Sequence, residues 1–148
     1  MSKVSKLCLT KKSGNEMIEV NFIEVISNKG IVDDRYFNIN KEKDTQITLI
    51  ESENIDYYNK ISKTNIPYIN FRRNIITEKI KLNELVDQEF LIGDVRVKGI
   101  RLCEPCKYLQ DLLKQPALVK KLTHKGGLRC EILSSGKIHL NDKIIRNC

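Results

Sequence analysis

The chain has 148 residues, of which 41% are hydrophobic and 30% charged, with a formal net charge of +7. This balance is typical of one soluble globular domain, and without an internal linker we expect residues 1–148 to form it. No stretch has the roughly 20 apolar residues that a membrane span needs. The N-terminus lacks a signal-peptide pattern, so we expect no membrane contact and a cytoplasmic location.

Short segments rich in β-branched and aromatic residues follow one another along the chain and predict strands. They are residues 16–27, 45–50, 68–77 and 90–102. Residues 128–133 and 137–145 flank turn-forming serines and Gly136, and we expect them to pair as a terminal hairpin. These elements predict a mainly β fold, a closed or partly closed antiparallel β-barrel with a few short helices. An α+β sheet with helices on one side is the alternative.

Three segments carry helical signals. Residues 51–60 follow a predicted strand and begin with polar side chains. Residues 104–114 place Pro105 where the first helical position would be, and their leucines share one face. Residues 116–122 form a second short helix, which the Gly126-Gly127 pair ends.

Five cysteines without an export signal argue against a disulfide framework and favour thiol chemistry or metal ligation. Cys103 and Cys106 form the only local group, in the sequence Cys-Glu-Pro-Cys. If a helix opens at Pro105, Cys106 lies in its first turn, where unpaired N–H groups and the helix dipole favour the thiolate. A zinc site lacks a second ligand pair, since the histidines are only His124 and His139.

Two further interpretations of the cysteine pair are a thioredoxin-like redox pair and a single working cysteine at a cofactor site. The redox pair belongs in a βαβ setting, and the surroundings here are mainly β. Two incidental thiols at a strand end remain a fourth interpretation. The cysteine spacing alone does not choose between them.

A second group of candidate residues is basic. Arg35 follows Gly30, and Arg72, Arg73 and Asn74 are consecutive in a strand-like segment. The guanidinium fork matches phosphate, and the asparagine amide adds a donor and an acceptor. Alternatively, Arg72 and Arg73 pair with carboxylates such as those of Asp33 and Asp34.

The segment from His124 to Arg129 contains the glycine pair, whose N–H groups can cradle an anion. A lone histidine there is more often a loop residue than a catalyst. The net positive charge also favours anionic partners. Aromatic residues are only 6% and no RNA-binding signature is present, so nucleic acid ranks last among these partners.

The order of these segments resembles the motif order of the MOSC domain family, the C-terminal module of molybdenum-cofactor sulfurases. The similarity covers about residues 16–146. The matching segments are residues 30–37, 46–51, 71–76, 92–95, 103–106 and 126–138. Tyr36 departs from the pattern, because the family often has a histidine there.

The resemblance implies a β-barrel-like fold that binds molybdenum cofactor (molybdopterin) or carries sulfur to a metal centre. Cys106 corresponds to the family's working cysteine and is the expected molybdenum ligand. The family's cofactor-contacting segments fall on Arg35, Arg72, Arg73, Asn74 and Arg129. Cys103 and His124 are the expected auxiliary residues.

Three functions follow as hypotheses. The first is a molybdenum enzyme component that reduces N-hydroxylated compounds, with electrons from a flavin or iron–sulfur protein. The second is a sulfur carrier, in which Cys106 bears a persulfide supplied by a cysteine desulfurase. The third is a non-enzymatic module that binds an anion or nucleic acid, and it rests on the positive charge alone.

Overall fold

The computed structural model describes residues 1–38 and 43–146, and its architecture is mainly β. The strands are β1 (Lys3–Leu9), β2 (Ile18–Val20), β3 (Phe22–Ile26), β4 (Gly30–Ile31), β5 (Ile47–Glu51), β6 (Ile75–Glu78), β7 (Glu89–Ile92), β8 (Val95–Leu102), β9 (Leu128–Ile132), β10 (Gly136–His139) and β11 (Ile144–Arg146). In these residues eight strands form one sheet in the order β11-β7-β8-β9-β5-β6-β1-β2, and β10-β3-β4 form a smaller one. The predicted fold class is confirmed.

The large sheet curls into a half-barrel. Val4 in β1 donates a backbone hydrogen bond to the carbonyl of Asp142 (2.9 Å) and accepts one from Asn141 (2.9 Å), just before β11 begins. One edge region of the sheet therefore meets the other, which limits the exposed backbone that an open sheet would present. The pairs are antiparallel except β5 with β6, which run parallel because α1 connects them.

The core fills the inside of the curled sheet. Along β8 the side chains of Val95 and Val97 are buried while that of Arg96 is exposed, which is the alternation of a strand with one covered face. Leu49, Ile75 and Leu128 on the neighbouring strands are fully buried in the same cluster. These strands form a rigid frame, and the candidate functional residues lie at one end of it.

Three helices and three 3-10 segments connect the strands within the described residues. They are α1 (Ser52–Ser62), α2 (Lys107–Leu112), α3 (Leu118–Lys121) and the 3-10 turns Lys43–Thr45, Tyr68–Phe71 and Leu82–Leu85. A second apolar cluster joins α1 to the other two helices through Tyr58, Leu109 and Leu118. No helix in the described ranges is long and apolar enough to span a membrane.

The terminal hairpin prediction is wrong in its pairing, although both of its segments contain strands. β9 lies between β8 and β5, so neither of its edges is available to the segment that follows it. That segment instead forms β10, which pairs with β3, and β11, which pairs with β7. Pairing is decided by which strand edges remain free, and a local turn signal does not report this.

Two other predicted strands are interrupted. Residues 16–27 divide at Asn21 into β2 and β3, which belong to different sheets. In residues 68–77 the first part is a 3-10 turn, and Arg72 then adopts a left-handed conformation with φ of 64°. β6 begins only at Ile75, so the paired arginines lie in the turn before the strand and not within it.

Candidate functional site

An open cleft of about 470 Å³ gathers most of the predicted site residues at one end of the half-barrel. Five of them line it: Arg35, Arg72, Arg73, Cys106 and Arg129. Five other residues complete the lining: Ser13, Gly14, Tyr36, Tyr108 and Leu109. We call this the arginine cleft. Among the described residues its lining contains four guanidinium groups and no carboxylate, so its electrostatic preference is for an anion.

Arg35 is held by its neighbours on three sides. Its Nη1 donates to Oδ1 of the buried Asp34 (3.3 Å), and its Nη2 donates to the backbone carbonyl of Arg72 (3.4 Å). The guanidinium also stacks on the Tyr36 ring, 4.5 Å from its centroid. Asp34 accepts a further hydrogen bond from the backbone N–H of Thr10 (3.2 Å) and so fixes Arg35 relative to β1.

Arg72 donates from Nη1 to the backbone carbonyl of Asn15 (2.7 Å), which ties the β1–β2 connection to the cleft. The interpretation in which Arg72 and Arg73 pair with Asp33 and Asp34 is wrong. Asp34 pairs with Arg35, and both arginines donate to backbone carbonyls.

Arg73 is a brace for the loop that carries Cys106. Its Nε donates to the carbonyl of Gly126 (2.9 Å), its Nη1 to that of Phe71 (3.3 Å) and its Nη2 to that of Cys103 (3.3 Å). A guanidinium offers five donors in a fixed plane, so one side chain can connect three separate segments. Arg73 therefore fixes the position of residues 103–106 relative to β6.

Among the four arginines that line the cleft, Arg129 has the guanidinium that is most available to a ligand. It lies on β9, half-buried, opposite Thr48 of β5. Within residues 1–38 and 43–146 no group accepts a hydrogen bond from it. A charged donor group that faces a cleft without a protein partner can bind an anion without first breaking an existing contact.

Cys106 is exposed and is the N-cap residue of α2, with φ of −116° and ψ of 161°. The helix thus begins at Lys107, two positions later than the prediction with Pro105 at its start. Pro105 instead lies beside Gly126, where an added Cβ would come 2.8 Å from the Pro105 nitrogen and 2.9 Å from its Cδ. The thiol of Cys106 nevertheless lies in the lining of the arginine cleft.

The remaining described cysteines are buried. Burial raises the pKa of the Cys8 thiol to about 12, and Sγ of Cys8 donates to the backbone carbonyl of Arg73 (2.8 Å). Burial also raises the pKa of Cys130. Cys103 is 2% exposed and does not line the cleft. Cys148 lies outside the described residues.

These environments predict selective thiol labelling. In a Cys148→Ser variant at pH 8, we expect one thiol to react rapidly with Ellman's reagent, and peptide mapping should find the adduct on Cys106. Cys8, Cys103 and Cys130 should react only after unfolding in guanidinium chloride. Rapid labelling of Cys8 or Cys130 in the native protein would contradict the described burial.

Asn74 and His124 do not line the cleft. Asn74 is 3% exposed, and its Oδ1 accepts hydrogen bonds from the backbone N–H and the hydroxyl of Thr48 (3.1 Å each), while Nδ2 donates to the carbonyl of Cys8 (3.3 Å). It thereby connects β6 to β5 and β1. Its assignment as a cofactor contact stays a prediction.

His124 is exposed beside the Cys103–Cys106 loop. Its Nδ1 lies 2.7 Å from Oε2 of Glu104, and its backbone N–H donates to Oε1 of the same carboxylate (2.7 Å). This contact ties His124 to Glu104 of the loop. The auxiliary role of His124 stays a prediction.

Sequence reasoning did not identify Ser13, Gly14, Tyr108 or Leu109 as lining residues. Tyr108 and Leu109 follow Cys106 closely, and that proximity is a signal that could have indicated them. Ser13 and Gly14 reach the cleft only because β1 and β2 are antiparallel neighbours.

In the described part of the chain, no group of three or more His, Cys, Asp and Glu side chains could hold a metal ion, so the zinc interpretation finds no ligand set there.

Comparisons with known proteins agree with the fold. A family model described as the MOSC domain matches residues 36–145. The structure is similar to that of the YuaD protein from Bacillus subtilis, with a TM-score of 0.83 and 16% identity over 97% of this chain and 94% of YuaD. For YiiM from Geobacillus stearothermophilus the TM-score is 0.79 at 15% identity, over 100% of this chain and 76% of YiiM.

YiiM from Escherichia coli has a TM-score of 0.73 at 15% identity, over 100% of this chain and 70% of that protein. At such low identities these likenesses show the fold alone. Among curated proteins, none matches the chain.

Proposed function

Because this chain belongs to the MOSC domain family, we propose that its arginine cleft binds molybdenum cofactor and that Cys106 ligates the metal. The protein would then be a component of a molybdenum enzyme that reduces N-hydroxylated compounds. The observation that carries the proposal is the placement of one exposed thiol in a cleft lined by four arginines. A soft thiolate suits molybdenum, and guanidinium groups suit a phosphate.

The volume of the cleft and its arginine lining suit a phosphorylated pterin. A volume of about 470 Å³ lies within the range of small-molecule sites, roughly 300–1,000 Å³. The Arg129 guanidinium donates no hydrogen bond within residues 1–38 and 43–146, and Arg72 uses only Nη1 in its contact with Asn15. When bound, the cofactor supplies a redox-active metal. The protein's own part is to supply the thiol, neutralise the phosphate and hold the loop in place.

The four arginines divide these tasks between them. Arg73 already donates from each of its three nitrogens, so its main contribution is to position residues 103–106. Arg35 is neutralised in part by Asp34 and is fixed against Tyr36. Arg129 and Arg72 are therefore the residues to which we assign direct contact with an anionic group.

We propose that the protein acts in the cytoplasm, with a flavin or iron–sulfur protein as the electron donor.

The second candidate function is sulfur transfer. The Cys106 thiolate would attack the sulfane sulfur of a cysteine desulfurase persulfide, form a new S–S bond and release the desulfurase thiolate. The burial of Cys103 favours this role, because a neighbouring accessible thiol would attack the Cys106 persulfide and discharge it. The arginine cleft would then bind the acceptor cofactor only during transfer.

Metal and pterin analysis tests the two functions together. The wild-type protein, Cys106→Ala, Arg129→Leu and the distant control Arg96→Leu would be purified from a host that makes molybdenum cofactor. We expect near-stoichiometric molybdenum and oxidised-pterin fluorescence in the wild type and in Arg96→Leu. Cys106→Ala should retain less than about one tenth of the metal, and Arg129→Leu should lose both metal and pterin.

Other outcomes of that analysis are equally decisive. Sulfane sulfur on Cys106 without molybdenum would favour the carrier function. The absence of molybdenum, pterin and sulfane sulfur, together with no binding of added cofactor, would contradict both functions. In that case the anion-binding module would be the better interpretation.

A further inference from the structure

The arginine cleft places positive charge around one accessible thiol. Cys106 is the only exposed thiol among the four described cysteines, and it lines the cleft together with the four arginines. One of these guanidinium groups is compensated, because Arg35 forms an ion pair with the buried Asp34. The other three form no ion pair with any carboxylate that the structure describes. The cleft therefore keeps a positive charge beside the sulfur atom.

Two guanidinium groups of the cleft have donors without a protein acceptor. Arg72 is 9% exposed, and within the described ranges only its Nη1 donates, to the carbonyl of Asn15 (2.7 Å). Every fully buried side-chain nitrogen or oxygen of the described residues has a hydrogen-bond partner, so the unused Nε and Nη2 of Arg72 lie open to the cleft or to the volume beside it. Arg129 has no acceptor either. A mostly buried guanidinium with unused donors suits a ligand that brings carboxylate or phosphate oxygens.

The exposed carboxylates near the cleft lie outside its lining. Glu104 is close to the thiol in sequence, but both of its oxygens contact His124, one at the backbone N–H and one at Nδ1 (2.7 Å each). Glu16 lines the adjoining volume, in which an arginine also lies. Asp33 and Asp111 line other depressions of the surface. An anionic reagent is therefore concentrated at the thiol relative to a cationic one.

The neighbouring thiol is held where it cannot attack an adduct on Cys106. Cys103 is 2% exposed and does not line the cleft. Its backbone N–H donates to the carbonyl of Gly127 (2.8 Å), and its carbonyl accepts from Nη2 of Arg73 (3.3 Å). Thiol–disulfide exchange requires access of the attacking sulfur to the disulfide. While the fold is intact, Cys103 therefore does not displace a group bound to Cys106.

We propose that Cys106 is a modification site at which the arginine cleft selects negatively charged low-molecular-weight disulfides, such as glutathione disulfide. The Cys106 thiol loses its proton to water, and the thiolate attacks one sulfur of the disulfide. A new S–S bond joins Cys106 to one half of the reagent, the original S–S bond breaks, and the other half leaves as a thiolate. Cys106 is oxidised and the departing half is reduced, so no further oxidant is needed. Carboxylates of the bound half lie against Arg72 and Arg129.

The adduct occupies the sulfur atom and part of the cleft. A modified protein therefore cannot ligate molybdenum through Cys106 until a thiol reductant releases the adduct, and this consequence rests on the proposed function. Formation of the mixed disulfide does not rest on it, because the reaction needs only the accessible thiol and the charge of the cleft.

Three disulfides of matched chain length test the selection: dianionic 3,3′-dithiodipropionate, neutral 2-hydroxyethyl disulfide and dicationic cystamine. They would react at pH 7 and low ionic strength with the full chain carrying Cys148→Ser, purified from a host that lacks molybdenum cofactor. Intact-mass measurements give each rate, which is divided by that of 2-mercaptoethanol with the same disulfide, because the leaving group also affects the rate. We expect the normalised rate to be about tenfold higher for the dianion than for the dication, and this ratio to fall as salt is added.

A matched pair of variants separates the charge of the cleft from the net charge of the protein. Arg129→Gln removes a guanidinium that lines the cleft and should lower the dianion-to-dication ratio about two- to fivefold, the size of one ion pair. Arg129→Lys keeps the charge and should preserve most of the ratio. The control Arg96→Gln removes an exposed arginine near the start of β8, at the opposite end of that strand from Cys103, and should leave the ratio unchanged.

With glutathione disulfide we expect one adduct per chain, found on Cys106 by peptide mapping and stable until dithiothreitol is added. The inference is overturned if the dianion and the dication react at equal normalised rates, if Arg96→Gln lowers the ratio as much as Arg129→Gln does, or if a disulfide between Cys103 and Cys106 replaces the adduct. Loss of selection with normal molybdenum loading of the reduced protein would remove this inference alone. Selective modification without loading would remove the proposed function and leave the modification site.

Discussion

Replacing Gly126 with alanine is expected to lower the free energy of unfolding by about 3 kcal/mol, the upper part of the usual range for overpacking a rigid interior. A Cβ at this position would lie 2.3 Å from the carbonyl oxygen of Cys103, 2.8 Å from the nitrogen of Pro105 and 2.9 Å from its Cδ. These atoms belong to backbone and a proline ring, which cannot rotate away. The Cys103–Cys106 loop must therefore move as a unit.

The movement of the loop should change the reactivity of its cysteines as well as the free energy of unfolding. Urea unfolding gives the change in free energy, and the rate of Ellman labelling at Cys106 and Cys103 reports the loop position. The control is Gly136→Ala, where the added Cβ meets only Cγ2 of Val95 at 3.1 Å, a side chain that can shift. We expect it to cost less than about 1 kcal/mol. Equal losses in the two variants would show that the contact of Gly126 with the loop is not close.

Replacing Arg73 with leucine should destabilise the protein by about 3–5 kcal/mol, since three carbonyl groups lose a charged donor in a mostly buried setting. Loss of the brace should also release residues 103–106. Cys103, which is buried in the native protein, should then react with Ellman's reagent at pH 8. Urea unfolding and peptide mapping measure the two effects.

Arg73→Lys keeps the charge but not the planar fork, so it should recover only part of the stability. Arg96→Leu is the matched control, because Arg96 is exposed and pairs only with the exposed Glu89 among the described residues. It should change the free energy of unfolding by less than about 0.5 kcal/mol. If Arg73→Leu were as mild as Arg96→Leu, the hydrogen bonds of Arg73 would not hold the loop in place.

Both predictions concern the packing of Gly126 and Arg73 against the Cys103–Cys106 loop. Gly126 allows its carbonyl to approach Nε of Arg73, and its missing side chain leaves room for the loop that Arg73 also holds. The double variant should therefore be less destabilised than the sum of the single variants, since either change alone already displaces the loop. Additive losses would indicate two independent effects.

Some of the fold follows from sequence patterns. The alternation of Val95, Arg96 and Val97 predicts a strand with one buried face, and β8 has it. The polar start of residues 51–60 predicts a helix, and α1 forms there. β1 is not predicted, because its buried residues Val4, Leu7 and Cys8 do not alternate regularly. A bulge between Val4 and Lys6 disturbs the period of two on which such a prediction depends.

The candidate site likewise has one part that follows from the sequence and one part that depends on the tertiary structure. Residue type and local order identify Cys106 and the arginines, because a thiol before a helix and guanidinium groups have chemistry that can be read from the chain. Cys103 and Cys106 have identical side chains, yet one is 2% exposed and the other is exposed. That difference depends on Gly126 and Arg73, which pack against the loop from distant parts of the sequence.

By itself the sequence determined the mainly β character, the family and the groups capable of chemistry, since these depend on residue type and on spacing within a few positions. Only the tertiary structure decided that Arg73 is a brace, that Asn74 is buried and that β10 pairs with β3. Strand pairing depends on which strand edges remain free, and the role of an arginine depends on which carbonyls lie near its guanidinium. Both are determined by chain segments that are far apart in sequence.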